Sequence, residues 1–457
     1  MILSSLAIVQ RLSGNCHFGY HPDMRLILLA TLTSALLGAA PPTFYKDVLP
    51  VLQNKCQGCH RPGEAAPMSF LTYEKTRPYA AAIRQAVLSK KMPPWGADRS
   101  HGKFSNDPSL SEEEKTTLVA WAEAKAPAGN PKQAPGPRQF VEGWNVGQPD
   151  LVIGMAKAYS IPATGTVEYT RFIIPLNFTE DRWISTAEVR PGNRAVVHHV
   201  IAYVREPSSQ WLRDATVGKP VGEPIVKVKQ TDRGARYWLT AYAPGAPALP
   251  GTAGQALRVK AGSDVVFEMH YTTNGQPATD QTTVGIVFAK EPPKSVIATI
   301  GVSNDRFVIP AGADAHEVKS RWVVHNEMTL ENLTPHMHVR GKDFRYDATY
   351  PSGETEVLLN VPHYDFAWQH TYVLAQPKLL PAGTVITCTA HFDNSPNNKY
   401  NPDPKAEVRY GDQSWEEMMI GFGIVSYDAK YVDKNMFAPP KPAANPAANE
   451  GKKPAAE

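Results

Sequence analysis

The chain is poor in cysteine, in net charge and in long apolar runs. Its 457 residues include only 4 cysteines and carry a formal net charge of +3. So few cysteines exclude a scaffold held together by many disulfides. So small a charge gives no basis for binding nucleic acid or an anionic membrane. The apolar stretch 26–37 is shorter than the roughly 20 residues of a membrane-spanning helix, so we expect no membrane span in the mature chain.

Proline and glycine are abundant, at 41 and 32 residues, and favour many turns and short strands. The length exceeds one ordinary hydrophobic core, so several domains are expected. The predicted fold class is multidomain, with a small all-α domain followed by two all-β sandwich domains. We expect a signal region over 1–40, a helical domain over 41–127, a Pro-rich linker over 128–148, sandwiches over 149–300 and 301–430, and a disordered tail over 431–457.

The signal region begins unusually late. Arg25 precedes the apolar stretch 26–37, and small residues follow at 38–40, as in a secretory signal. Met24 is therefore the expected true start, and the mature protein is expected to be periplasmic or secreted. Cys16 lies before the mature chain.

Helical periodicity marks the first domain. Three short helices are predicted. The first carries Phe44, Val48, Val51 and Leu52 at helical spacing, and the second begins at Arg77-Pro78 with Tyr79, Ile83 and Val87 on one stripe. The third begins at the capping box Ser111 to Glu114, with Leu118, Trp121 and Ala122 facing inward.

Cys56-Gln57-Gly58-Cys59-His60 has the C-x-x-C-H pattern that attaches one covalent c-type haem. Two thiols one turn apart reach the haem vinyl groups, and the adjacent histidine meets the iron. The alternative is a zinc or redox C-x-x-C, which the histidine and the export signal disfavour. Met92, on a proline-flanked turn, is our choice for the sixth ligand, and Met68 is the rival.

Two histidine groups follow in the β-rich part. In His336-Met337-His338, strand alternation sends both imidazoles to one face, and Met418 is the candidate third ligand. A soft thioether suits Cu(I).

The pair His198-His199 can bind one ion only at a strand irregularity, because neighbours on a flat strand face opposite ways. His270, on the strand 263–271, would complete that site. The alternative for the pair is one exposed and one core histidine.

In this order, the motifs resemble the copper type II, ascorbate-dependent monooxygenases, which include peptidylglycine α-hydroxylating and dopamine β-monooxygenase, over about 150–427. The segment 41–127 resembles bacterial cytochrome c domains fused to such modules, through its C-x-x-C-H, Ala66-Pro67-Met68 and Met92-Pro93-Pro94-Trp95. The resemblance implies two jelly-roll-like domains, each bringing one copper to an open cleft. It assigns the electron-relay copper to His198, His199 and His270. It assigns His336, His338 and Met418 as ligands of the second copper, which binds dioxygen and removes a hydrogen from the substrate.

Some positions depart from the family pattern. Thr334 replaces the arginine that grips a peptide carboxylate, which disfavours a glycine-extended peptide as substrate. Glu268 stands where the family has glutamine, and Met419 replaces the cysteine that would pair with Cys388. The resemblance gives the other sandwich histidines no ligand role, and we interpret 364–369 as a structural corner.

The hypothesis is therefore an exported oxidoreductase with one haem c and two coppers. It would hydroxylate a C–H bond of an unknown small-molecule or peptide-like substrate with O2, using electrons from the cytochrome domain and an external donor, ascorbate-like or a redox protein. The alternative is a non-catalytic or purely electron-transfer protein whose β-sandwich binds copper or a partner.

Overall fold

Strands take 36% of the chain and helices 12%, so the β-rich expectation is confirmed. The structure, a computed structural model, describes residues 40–64, 66–222, 236–244 and 251–439. The expected signal residues 1–39 and tail residues 440–457 lie outside this part. None of the helices within the described ranges has the length and apolar character needed to cross a membrane.

The α-helices all lie in the N-terminal part of the described chain. A π-helical turn (Phe44–Val48) leads into α1 (Leu49–Lys55), α2 (Tyr73–Thr76) leads through a 3-10 turn (Arg77–Tyr79) into α3 (Ala80–Leu88), α4 spans Glu112–Glu123, and a 3-10 turn spans Pro131–Gln133. Their shared core includes Phe44, Leu52 and Trp121, each with no exposed surface.

Sequence reasoning placed one helix start well and another badly. The Ser111 hydroxyl accepts from the Glu114 backbone N–H, and the Glu114 carboxylate accepts from the Ser111 N–H, so the capping box is confirmed. The second helix was expected from Arg77 with Tyr79 facing the core, but α3 begins at Ala80 and Tyr79 is 38% exposed. The 3-10 turn has three residues per turn, and this change of period moves Tyr79 off the buried stripe.

The first β half is a pair of four-stranded layers. Its strands are β1 (Leu151–Gly154), β2 (Tyr159–Ile161), β3 (Thr170–Pro175), β4 (Arg182–Arg190), β5 (Val197–Arg205), β6 (Arg236–Tyr242), β7 (Gln255–Val259), β8 (Asp264–Tyr271), β9 (Ala278–Asp280) and β10 (Thr283–Phe288). One layer runs β1-β10-β4-β7 and the other β3-β8-β5-β6, while β2 pairs with β9. Alternating residues of β8, including Val265, Phe267 and Met269, enter the core between the layers.

The second β half repeats this plan. Its strands are β11 (Ser295–Asn304), β12 (Val308–Ile309), β13 (His316–Val323), β14 (Met328–His336), β15 (Gly341–Thr349), β16 (Thr355–Val361), β17 (Tyr372–Leu380), β18 (Val385–Phe392), β19 (Val408–Arg409) and β20 (Met419–Asp428), and a 3-10 turn follows (Ala429–Tyr431). One layer runs β11-β20-β14-β17 and the other β13-β18-β15-β16, while β12 pairs with β19.

One sheet runs through both halves. Strands β7 and β11 pair in parallel, with Ser295 opposite Gln255 and Val296 opposite Ala256. The layers β1-β10-β4-β7 and β11-β20-β14-β17 thereby become a single 8-stranded sheet.

The segment between α3 and α4 docks along β17 of the second half. Phe104 forms a β-bridge with Leu374, and the Ser105 N–H donates to the Val373 carbonyl at 2.9 Å. The Asn106 side chain donates to the Thr371 carbonyl at 2.7 Å. The helical part is therefore fastened to the half that carries His336 and His338.

The boundary expected for the tail lies too early. The Asn326 side chain donates to the Met436 carbonyl at 2.9 Å, and Phe437 packs near Trp322. Met436 is 5% exposed, so the chain at 436–438 packs on the second β half instead of belonging to a disordered tail.

Phe267→Ala should destabilise the protein by about 3–5 kcal/mol, because it leaves a cavity where a ring with no exposed surface packs between the two layers. Denaturant unfolding of the metal-free protein measures this. The matched control Leu379→Ala removes a side chain that is 54% exposed and should cost less than about 0.5 kcal/mol. Equal losses for the two variants would contradict the proposed core.

Candidate metal centre

Three histidines gather at the start of β5 and the end of β8. The ligand atoms of His198, His199 and His270 all lie within 4.8 Å of one another. His199 stands opposite His270 in the antiparallel pair, and the register shifts between Val197 and His199. This shift is the irregularity that the sequence required, because it lets two consecutive imidazoles face the same point. The Nδ1 atoms of His198 and His199 are 3.1 Å apart.

A second group forms where β14 ends. The ring centroids of His336 and His338 are 5.2 Å apart. His336 stands opposite Ile420 on β20, and continuing this register by two residues brings His338 opposite Met418. The sulfur of Met419 lies 3.3 Å from the Ser320 hydroxyl in the core, so alternation puts Met418 on the other side of the strand, with His336. The register therefore directs Met418 to the side of the sheet on which His336 lies, with His338 and Met418 both just beyond the ends of their strands.

Each imidazole of the second group is held through one nitrogen. His336 Nδ1 lies 2.7 Å from the Gln369 side-chain oxygen, and His338 Nδ1 lies 3.2 Å from the Glu416 carbonyl. Such contacts fix the ring orientation, as around metal-binding histidines in general.

The donors present fit copper. Three imidazoles suit Cu in either oxidation state, and imidazoles with a thioether suit Cu(I). The His270 Nδ1 is buried with no hydrogen-bond partner among the described residues. A bound ion is one way to satisfy such an atom, since buried polar atoms are rarely left without a partner.

Two aromatic rings lie between the groups. The buried Tyr169 stacks on His270 at 4.7 Å and lies 6.3 Å from His338, between ring centroids. Phe366 lies 5.4 Å from His198 and 6.0 Å from His338. The resemblance implies an open cleft here, whereas in the structure these rings occupy the space between the two groups.

A chain of charges borders the centre. The Arg171 side chain is 3% exposed, and its Nε donates to the Glu268 carboxylate at 2.7 Å, while a second nitrogen lies 3.3 Å from Asp412. The charge that Glu268 adds beside His270 is therefore balanced by Arg171. Since Asp412 belongs to the second half, this chain also ties the two halves together.

Glu417 fixes the turn after His338. It has no exposed surface, and its carboxylate accepts from the backbone N–H groups of His338 at 2.8 Å and Arg340 at 2.6 Å. Burial raises the pKa of Glu417 to about 8. This side chain holds the backbone at His338 and Arg340, and it stands next to Met418 in the sequence.

The histidines of both groups are held neutral. Burial lowers the pKa of His198 to about 4 and that of His338 to about 3. The pKa values of His199 and His270 are lowered by burial and then by the neighbouring imidazoles, and that of His336 by burial. Neutral imidazole is the form that binds metals.

The C-x-x-C-H segment lies at the end of α1. The His60 N–H donates to the Cys56 carbonyl at 2.9 Å, and the His60 ring stacks on Phe70 at 4.3 Å. Burial raises the pKa of Cys56 to about 12 and raises that of Cys59. Burial also lowers the pKa of His60, so its imidazole is neutral and able to bind iron. Two adjacent thiols and a neutral imidazole fit a covalent haem.

The two candidate sixth ligands lie in different surroundings. Met68 packs against the apolar cluster that includes Cys56, and its backbone hydrogen-bonds with His60. Met92 lines a large cavity facing the second β half, and none of Cys56, Cys59 and His60 lines that cavity.

Sequence reasoning missed several residues of the centre. The stretch 364–369, interpreted as a corner, supplies both Phe366 and Gln369. The run Glu416-Glu417 beside Met418 could have marked Glu417 as a candidate. No local signal marks Tyr169 or Arg171, which reach the centre only through pairing of β3 with β8.

No protein-family model matches the chain, and no curated protein matches it. Among solved structures it is similar to the VP2 subviral particle of infectious bursal disease virus, with 8% identity over 63% of this chain and 75% of that chain, at a TM-score of 0.17. It is also similar to allantoicase, with 10% identity over 52% and 79% of the two chains, at a TM-score of 0.16. Similarities this weak carry no argument about function.

Acid should destabilise the metal-free protein below about pH 6.5. The unfolded chain takes up protons there, whereas His198 stays neutral in the folded chain down to about pH 4, so stability falls as pH falls through this window. The asparagine variant His198→Asn should flatten the slope by up to about 1.4 kcal/mol per pH unit. Denaturant unfolding between pH 7 and pH 4 measures it.

The control Val152→Ala changes an exposed, non-titrating side chain and should keep the wild-type slope. A wild-type slope in His198→Asn would show that His198 takes up its proton as readily in the folded protein as in the unfolded chain.

Proposed function

We propose that the chain is an exported, copper-dependent monooxygenase of the copper type II class, with a c-type cytochrome domain and two jelly-roll-like domains. One observation carries the proposal. Three imidazoles converge in one β half, those of His199 and His270 buried and that of His198 partly buried, and the imidazoles of His336 and His338 lie together in the other half, where the register of β14 and β20 continues toward Met418. Aromatic rings contact both groups, so the two lie close together.

The residues divide into roles by group. His198, His199 and His270 would hold a copper that passes electrons, and His336, His338 and Met418 a copper that meets dioxygen. Bound copper would supply dioxygen activation and C–H oxidation. Gln369 and the Glu416 carbonyl orient the second pair, and Glu417 fixes its backbone. In the balanced reaction one oxygen atom enters the C–H bond, and the other leaves as water with two electrons and two protons.

Electrons would enter through the helical part. Glu64, shortly after His60, forms an ion pair with Arg194, which lies shortly before His198. Arg194 is also close enough to Cys59 to oppose part of the rise that burial causes in the pKa of that thiol, so the expected haem edge lies near the loop that leads into β5. This contact supports electron entry at the group of His198, His199 and His270. The bound haem would supply reversible one-electron transfer, with an external donor upstream.

A second candidate function is electron transfer or copper binding without hydroxylation. Tyr169 and Phe366 favour it, since their rings occupy the space where a substrate would approach dioxygen between the groups. Oxygen consumption coupled to product separates the two functions.

The decisive experiment reduces the copper-loaded holoprotein anaerobically and then adds oxygen. Haem reoxidation followed by absorbance should be faster with copper than without it, and Met418→Leu should slow it by about tenfold or more because a ligand is lost. Metal analysis of each variant accompanies the kinetics.

The matched control is Met419→Leu, whose side chain lies in the core on the other side of the same strand. It should keep wild-type kinetics, since Met and Leu have similar volumes. Equal rates with and without copper would rule out the proposed route.

We propose Met92 as the sixth haem ligand on its position in the sequence alone; the contacts of Met68 with the cluster around Cys56 and with His60 favour the alternative, Met68. Met92→Leu should lower the haem midpoint potential by on the order of 0.1 V, within the roughly 0.8 V that axial ligands control. Redox titration of the haem absorbance measures this, and Met68→Leu serves as the matched variant. A fall in Met68→Leu alone would reassign the ligand to Met68.

A further inference from the structure

A large cavity lies between the helical part and the second β half. It measures about 1220 Å³ and is bounded by residues around Met92 and Trp95 on one side and by 361–372 and 393–400 on the other. Sites for small organic molecules are commonly 300–1,000 Å³, so a molecule of two or three rings fits. None of the five histidines of the two metal groups lines it.

Flat rings line one wall of this cavity. Trp95 lies 4.7 Å from Tyr372 and 5.9 Å from His370, between ring centroids. Trp368 is parallel to His370, at 3° and 6.2 Å. The Nε2 of His370 is buried without a hydrogen-bond partner in the described part of the chain. Rings held in place by one another favour a planar guest, because little side-chain freedom is lost on binding.

The cavity is also positively charged. Its lining holds six lysine or arginine side chains and four carboxylates. Within the described ranges, Lys90, Lys91 and Lys399 have no carboxylate at ion-pair distance. Two of the carboxylates, Asp365 and Asp393, already accept hydrogen bonds from nearby backbone N–H groups. Six cationic side chains against four carboxylates leave an excess of positive charge, which favours an anion.

One side chain connects this cavity with the metal groups. Phe366 lines the cavity, and its ring also contacts His198, His270 and His338. Pro335, next to His336, is part of the lining as well. A molecule in the cavity would thus be separated from the histidines by little more than the Phe366 ring.

From these observations we infer that the cavity binds a ring-bearing organic anion, held by the Trp95 wall and the lysine rim. The further statement that this anion is the substrate rests on the proposed function. The Phe366 ring would then have to move aside for the anion to reach the metal groups. Binding itself requires neither copper nor turnover.

The test is calorimetric titration of the full, copper-free chain with 2-naphthoate. The matched probes are 2-naphthalenemethanol, which is neutral, 2-naphthylmethylammonium, which is cationic, and cyclohexanecarboxylate, which lacks the aromatic ring. One molecule of 2-naphthoate should bind per chain. Its affinity should be about fivefold to tenfold higher than that of the neutral or the cationic probe, as expected for charges at a solvent-exposed edge of the cavity. Cyclohexanecarboxylate should bind about tenfold more weakly than 2-naphthoate.

Variants locate the binding. Trp95→Leu should weaken 2-naphthoate binding by about tenfold, and Lys399→Gln by about threefold with no effect on the neutral probe. Lys399 is a surface residue, so this variant remains informative if Trp95→Leu folds poorly. The control Lys430→Gln removes a lysine that pairs with Asp428 and does not line the cavity.

Each other outcome overturns the inference. Equal affinity for the three naphthalene probes would contradict the preference for an anion. Equal affinity for cyclohexanecarboxylate and 2-naphthoate would contradict the preference for an aromatic ring. Unchanged binding in Lys399→Gln and Trp95→Leu would show that the molecule binds outside this cavity. Any of these results leaves the oxygen chemistry untouched, and a failed oxygen-pulse experiment leaves the binding site standing.

Discussion

Burial of neutral imidazoles at strand ends is the constraint on which the rest of this structure depends. Removing five histidines from water favours their uncharged form, and each ring then needs a partner for its nitrogens. Gln369 and the Glu416 carbonyl serve His336 and His338. The ligand atoms of His198, His199 and His270 lie within 4.8 Å of one another, and the Nδ1 of His270 is buried without a hydrogen-bond partner among the described residues. Such an arrangement is costly for a chain that binds nothing there.

The sequence was most informative where the physics is local. Alternation along β8, the capping box at Ser111 and the imidazole pair of His336 and His338 each follow from residues close in sequence. Tyr79 was misplaced because a 3-10 turn changes the period within three residues. Which residues surround the metal groups depends on which distant strands become neighbours, and periodicity does not contain that information.

Gln369 and Arg171 illustrate this limit. Gln369 reaches His336 from the loop between β16 and β17, two strands that pair with β15 and β14 and not with each other. Arg171 connects Glu268 with Asp412 across the boundary between the halves. Neither residue type nor spacing sets them apart from ordinary surface side chains. Their roles appear only once both halves are assembled, so the centre is a property of the joined halves.

The pairing of β7 with β11 has a consequence for how this molecule arose and how it can be altered. Either half produced alone would present a bare strand edge that invites aggregation. Recombination between genes could exchange the helical part more readily than one of the two sandwiches. The sandwiches are therefore expected to be inherited as a single block, whatever partner domain precedes them.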